Sequence, residues 1–159
     1  MAAHCQHDAV PSLAPDALAK AMADAEARSL ANGQRWTEPR RRVLELLLKQ
    51  GAPVKAYDLM AAYGDGEAAK PTTVYRALEF LESLHLAHRI PSLNAYVACD
   101  HVAGDHHAAF MICDCCGGTQ EFQPVLDKSA LNAASKQDFT IKSVALEVRG
   151  LCHACRQAA

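Results

Sequence analysis

Residues 70–99 read KPTTVYRALEFLESLHLAHRIPSLNAYVAC, and their periodicity changes partway through. Val74, Ala77, Leu78, Leu81 and Leu84 recur at helical spacing, which predicts one buried stripe on a helix starting near Pro71–Thr72. Ala87–Ile90 and Ala95–Cys99 are then short apolar runs on either side of the turn-forming Pro91-Ser92-Leu93-Asn94, which predicts a β-hairpin. The stripe leaves Thr72, Thr73, Tyr75, Arg76 and Glu79 on the other faces of the helix. Such a helix followed at once by a hairpin is how a winged helix-turn-helix ends. Arg, Thr and Tyr near the helix N-terminus suit base edges and phosphates in a major groove. Without the hairpin, the same residues would read as an ordinary solvent-facing side.

The chain before residue 70 supplies the remaining helices. Asp16 is predicted to cap a helix reaching Asn32, with Gly33 past its end. Thr37 is an N-cap candidate for a second helix, with Pro39 in its first turn and Gly51 as its stop. Val43, Leu44, Leu47 and Leu48 form its apolar stripe, and a short third helix fits Ala56–Tyr63, ended by Gly64-Asp65-Gly66. Arg35, Arg40, Arg41, Arg42, Lys49 and Lys55 stand against only Glu38 and Glu45 in this stretch, and Lys70 precedes the fourth helix. A local basic patch is enough for phosphate contact even though the whole chain carries a net charge of −2. Charge runs of this kind are also common on solvated helix faces.

Beyond the hairpin the pattern is strand-rich. Ala108–Ile112, Thr119–Phe122 and Phe139–Val148 are strand candidates, and Val125–Lys136 is a helix candidate between them. The reading is therefore α+β: a tail over residues 1–15, a winged-helix domain over 16–99, a polar hinge over 100–104, and a small second domain over 105–159. At 159 residues, such domains can share a metal as a staple.

Composition limits the chemistry. The longest stretch free of Asp, Glu, Lys and Arg runs only from Ile90 to Cys99, far short of the roughly 20 residues of a membrane span. Charged residues interrupt Met1–Asn32, so it does not read as a signal peptide, and a reducing cytoplasm is expected. In that compartment an odd count of 7 cysteines favours metal or redox chemistry over a disulfide framework. No Ser-His-Asp set, glycine-rich phosphate loop or carboxylate pair stands out, and the chain is not expected to be an enzyme.

Cys113/Cys116 and Cys152/Cys155 are two CxxC pairs. Each places two sulfurs on one side of a tight knuckle, and two knuckles complete a tetrahedron around Zn²⁺. Gly117-Gly118 lets the first knuckle turn without Cβ clashes. The rival is a thiol-disulfide oxidoreductase, which needs one CxxC at a helix N-terminus and leaves the second unexplained. Cys115 and His153 read as bystanders within the knuckles, and His4, Cys5 and His7 as incidental. A second constellation combines His88, Cys99, His106 and Glu121, with His101 and His107 nearby. One thiolate, two imidazoles and one carboxylate would tie the two halves together, and that donor set suits zinc better than iron.

The stretch Lys70–Leu81 resembles the recognition-helix signature of the ferric uptake regulator family, and Trp36-Thr-Glu-Pro-Arg40 is similar to the motif opening its preceding helix. Ala56–Leu59, Asn94–Cys99, Phe110–Cys113 and Leu146–Cys155 resemble the zinc uptake branch in particular. The resemblance covers about Gln34 to Cys155. It implies a dimerising C-terminal domain and a homodimer that represses zinc-import genes from a pseudo-palindromic double-stranded DNA operator. It also implies two zinc ions per chain, a structural one at Cys113, Cys116, Cys152 and Cys155 and a regulatory one at His88, Cys99, His106 and Glu121. Tyr75 and Arg76 match the residues expected at DNA, with Tyr57 beside them. The iron-sensing branch carries a histidine-rich HHDH run, whereas His106-His107 is followed here by Ala108-Ala109, leaving fewer ligands for an octahedral site. An iron- or peroxide-sensing repressor remains the alternative within the family, and a third metal site at His101 or His107 stays open.

Overall fold

The computed structural model describes residues 13–64, 69–99, 108–124, 129, 132, 136, 138–140 and 144–157. Four helices come first: α1 (Pro15–Ala31), α2 (Glu38–Gln50), α3 (Ala56–Ala62) and α4 (Pro71–Ser83). The hairpin follows, β1 (Ala87–Ile90) and β2 (Ala95–Ala98), joined by a 3-10 turn at Pro91–Leu93. The remainder holds β3 (Ala109–Cys113), β4 (Thr119–Phe122), β5 (Leu146–Gly150) and a short α5 (His153–Gln157). Among the described residues no helix is long and apolar enough to cross a membrane.

The apolar stripes of α2 and α4 meet to form the main core. Val43, Leu44 and Leu47 of α2 are buried against Val74, Leu78 and Leu81 of α4, and Leu59 of α3 closes the cluster. α1 lies outside this pair and buries Ala25 and Ser29. The Ser29 hydroxyl donates to the Gln34 carbonyl at 3.2 Å, so burial leaves no bare polar group there. β1 and β2 pair antiparallel from Ala87↔Ala98 to Ile90↔Ala95. Val54, in the loop between α2 and α3, joins β2 through reciprocal bonds with Tyr96, each 2.8 Å. Those bonds make the hairpin part of the helical domain.

The second sheet has the order β4-β3-β5, with β3 antiparallel to β4 and parallel to β5. Phe110 pairs with Glu121 on one side and Glu147 on the other. A separate apolar cluster joins this sheet to the hairpin: Ile90 of β1 packs with Phe110 and Ile112 of β3, flanked by Leu93 and Val97.

Several expected boundaries shift. Asp16 does not cap α1: Ala14 holds the N-cap position, Pro15 opens the helix, and Asp16 sits in the first turn. Thr37 does occupy the N-cap of α2 with extended backbone, but its hydroxyl makes no capping bond. Gly51 ends α2 in the left-handed region at φ 59°. Among the described residues, the strand expected over Phe139–Val148 forms at Leu146–Gly150, paired with Ala109–Cys113 of β3, and residues 141–143 lie outside the described residues. Phe139 lies outside it and is 64% exposed. Of the helix expected over Val125–Lys136, Ser129 and Asn132 are helical, and most of the rest lies outside the described residues. The tail to residue 12, the hinge over 100–104, and His101, His106 and His107 also lie outside them.

Candidate metal centres and nucleic-acid face

The described donors of the two expected metal sets converge. Cys113 ends β3, Cys116 follows in the turn after it, and Cys152 and Cys155 flank the start of α5. Their four sulfurs all lie within 4.8 Å of one another. The Cys116 and Cys152 sulfurs are 3.9 Å apart, against about 3.8 Å for the edge of a tetrahedron built on Zn–S bonds. The knuckles are shaped by backbone N–H groups aimed at sulfur: Cys152 N–H to Cys113 at 3.3 Å, Gly118 N–H to Cys116 at 3.4 Å, and Cys155 N–H to Cys152 at 3.4 Å. Gly117 takes φ +72°, and a Cβ on Gly118 would come within 3.2 Å of the Cys116 sulfur. Both glycines therefore have a local reason to be there.

The electrostatics of the quartet fit a cation. The N–H groups of Cys116 and then Cys152 hold the Cys113 thiol down at about 6. Burial, then the neighbouring Cys152, Cys113, Cys115 and Cys116 thiols, push the Cys155 thiol up. At Cys116 the Gly118 N–H pulls down, but the Cys113 side chain and burial together raise it. A bound divalent ion would supply the positive charge that such a crowded set of thiolates calls for. Cys115 faces solvent.

The second set bridges the two domains. His88 comes from β1, Cys99 directly follows β2, and Glu121 comes from β4. Their ligand atoms also lie within 4.8 Å of one another. His88 Nε2 is 3.5 Å and the Cys99 sulfur 3.9 Å from Glu121 Oε1. The His88 and Glu121 side chains are only 10% and 3% exposed. Burying a carboxylate this deeply is costly unless a cation or strong donors face it. The donor chemistry fits zinc, with one soft sulfur, one imidazole and one carboxylate converging.

The solvent face of α4 holds the other expected residues. Tyr75 is 46% exposed, while Arg76 and Thr72 are exposed and Thr73 is half-buried. Tyr57 on α3 is 78% exposed, and Lys70 is exposed at the N-cap of α4. Thr37, Arg40, Thr72, Thr73 and Arg76 line a shallow cavity of about 290 Å³ where the starts of α2 and α4 meet. Arg40 is more constrained than a phosphate contact requires. Its guanidinium carbon sits 3.4 Å from the Phe80 ring centroid, and it also donates to the Arg35 carbonyl.

The basic patch is likewise partly committed within the domain. Arg41 pairs with Glu38 at 3.6 Å, and Arg42 and Lys49 pair with Glu45 at 3.2 and 2.6 Å. The Lys49 hydrogen bond is the main reason the Glu45 carboxyl is held below its usual range. Arg42 also donates to the Tyr63 and Ala62 carbonyls at the end of α3. Sequence reading missed this role, and it missed Phe80 against Arg40, because each depends on a partner distant in the chain.

Comparison with known proteins gives consistent findings. The model of the ferric uptake regulator family matches residues 31–149. The zinc uptake regulation protein of Escherichia coli (strain K12) is 36% identical over 138 residues, which is 84% of this chain and 80% of that protein. A zinc uptake regulator complexed with zinc and DNA superposes with a TM-score of 0.80 at 34% identity, over 89% of this chain and 96% of that one. XcZur has been solved in a holo and an apo form. Its holo form matches with a TM-score of 0.76 at 39% identity, over 90% of this chain and 100% of its own. Its apo form reaches only 0.51 at 37% identity, over 89% and 99%.

Proposed function

This chain belongs to the ferric uptake regulator family, and from that premise we propose that it is a cytoplasmic, zinc-responsive repressor of zinc uptake genes. It acts as a homodimer on a pseudo-palindromic DNA operator and carries two zinc ions per chain. The chain is a regulator and not an enzyme. The observation that carries this reading is the arrangement of its domains. It is supported by the whole-chain superposition, which scores 0.80 on the zinc-and-DNA complex and 0.76 on the holo form but 0.51 on an apo form of nearly the same identity. The coupling between metal and arrangement is supported by His88 and Cys99 lying on the hairpin side and Glu121 on the sheet side.

Zn²⁺, when bound, would supply the positive charge that lets clustered thiolates and a buried carboxylate stay deprotonated. Cys113, Cys116, Cys152 and Cys155 fasten α5 to the end of β3. His88, Cys99 and Glu121, with His106 as the fourth ligand, hold the hairpin against the sheet. The helical domain then presents α4 to a major groove, with Tyr75, Arg76, Thr72 and Thr73 facing the bases and backbone. Tyr57, Arg40 and Lys70 lie at the edges of that face. Moving a domain equilibrium from 1:99 to 99:1 takes about 5.5 kcal/mol of differential binding, within the range a zinc site delivers.

The experiment is an operator shift titrated with buffered free zinc, run beside metal analysis. Cys99→Ser should leave a folded dimer with one zinc per chain and no zinc-stimulated binding. Full zinc-dependent binding by that variant overturns the gating role of the bridging set. Activation by Fe²⁺ in place of zinc would favour the iron-sensing alternative.

A further inference from the structure

Two carboxylates flank Phe110 in a single row across the second sheet. Phe110 lies opposite Glu121 on β4 and opposite Glu147 on β5, so all three side chains leave the same face. That face looks onto the hairpin: Phe110 is 3% exposed, packs with Ile90, and has its ring centroid 6.1 Å from that of His88. Glu121 reaches the base of the hairpin at His88 and Cys99. Glu147, on the other flank of the ring, accepts a hydrogen bond from the Ser92 backbone N–H at 3.1 Å. Ser92 lies in the 3-10 turn at the hairpin tip, where the leading amides point out of the turn.

The hairpin therefore has polar attachments to the sheet at both its base and its tip, separated by the length of β1. A body held at one end can still tilt about it, and the cluster of Ile90, Phe110 and Ile112 is small and non-directional. A charged acceptor on a backbone donor is directional, and it is stronger than a bond between neutral groups.

We infer that Glu147 is a positioning residue: its bond to the Ser92 amide is a second, metal-independent point of attachment that sets the tilt of the hairpin, and with it the orientation of α4. The inference rests on the zinc-gated reading above. The bridging set governs whether the domains close, and Glu147 governs the angle at which they do so.

The test uses the full-length dimer with Glu147→Ala and the conservative Glu147→Gln, which keeps an acceptor. At saturating zinc, Glu147→Ala should retain both zinc ions and the dimer but bind operator about five- to tenfold more weakly, the scale of one partly exposed charge-assisted bond. Glu147→Gln should recover most of that loss. In the zinc-loaded wild type the Ser92 amide should be protected from hydrogen exchange, and Glu147→Ala should remove the protection. An unprotected Ser92 amide in the wild type overturns the inference without any variant, as does wild-type operator affinity in Glu147→Ala. Loss of the bridging zinc from that variant overturns it too, because Glu147 would then be supporting the metal set. Zinc-independent operator binding by the wild type is a different failure and sinks the reading beneath it.

Discussion

Arg42 makes three attachments with one guanidinium: to the Glu45 carboxylate on its own helix and to the Tyr63 and Ala62 carbonyls that end α3. Carbonyls at a helix end lack partners within the helix, and a cation is favoured there. Arg42→Ala should lower stability by about 1–2 kcal/mol, read from denaturant unfolding of the zinc-loaded dimer, with both metals retained. The Glu45 carboxyl that supports this contact is held below its usual range, chiefly by Lys49. Its stabilising contribution is therefore complete above the ordinary carboxylate range and is lost as pH falls through the lowered value. Glu45→Gln should flatten the acid limb of the stability profile. In the sequence Arg42 was indistinguishable from Arg41 and Arg40, because its partners on α3 lie 20 and 21 residues away. The cysteine quartet was legible because each knuckle's turn is encoded within the few residues of its own CxxC pair. Arg76 belongs at this scale as well: Arg76→Ala should weaken operator binding while stability and metal content hold, measured by the same operator shift.

At the scale of elements, helices were read more accurately than strands. The stripe Val74, Ala77, Leu78 and Leu81 belongs to a helix whose hydrogen bonds are all local, so its extent could be read from its own sequence. Leu78 is 1% exposed within it, and Leu78→Ala should cost about 2–5 kcal/mol by thermal or denaturant unfolding. The end of β5 toward Phe139 could not be read that way, since a strand extends only as far as its neighbour pairs with it. The hairpin was legible because Pro91–Asn94 marks its turn and both strands are close in sequence, with Asn94 taking the left-handed conformation at φ 46°. Its packing on β3 was not, because Phe110 looks in sequence like any strand residue.

For the whole molecule, the two metal sets predict different consequences of metal removal. The quartet lies within the second domain and joins β3 to α5, whereas the bridging set joins that domain to the hairpin. A chelator of graded strength should first abolish operator binding while the dimer and one zinc per chain persist, followed by sedimentation and metal analysis. Simultaneous loss of DNA binding, dimer and all zinc would contradict a division of labour between the sets.

The reciprocal bonds between Val54 and Tyr96 bear on how far any displacement of the hairpin can travel. Val54 lies two residues before α3, so the strand that carries Tyr96 is stitched to the corner between two helices and cannot slide alone. Torque applied at the ligand end of the hairpin is then delivered to the helices without slack, as through a crank fixed to its shaft. Small changes in the ligand cluster would then become a sweep of α4, amplified by the length of the arm.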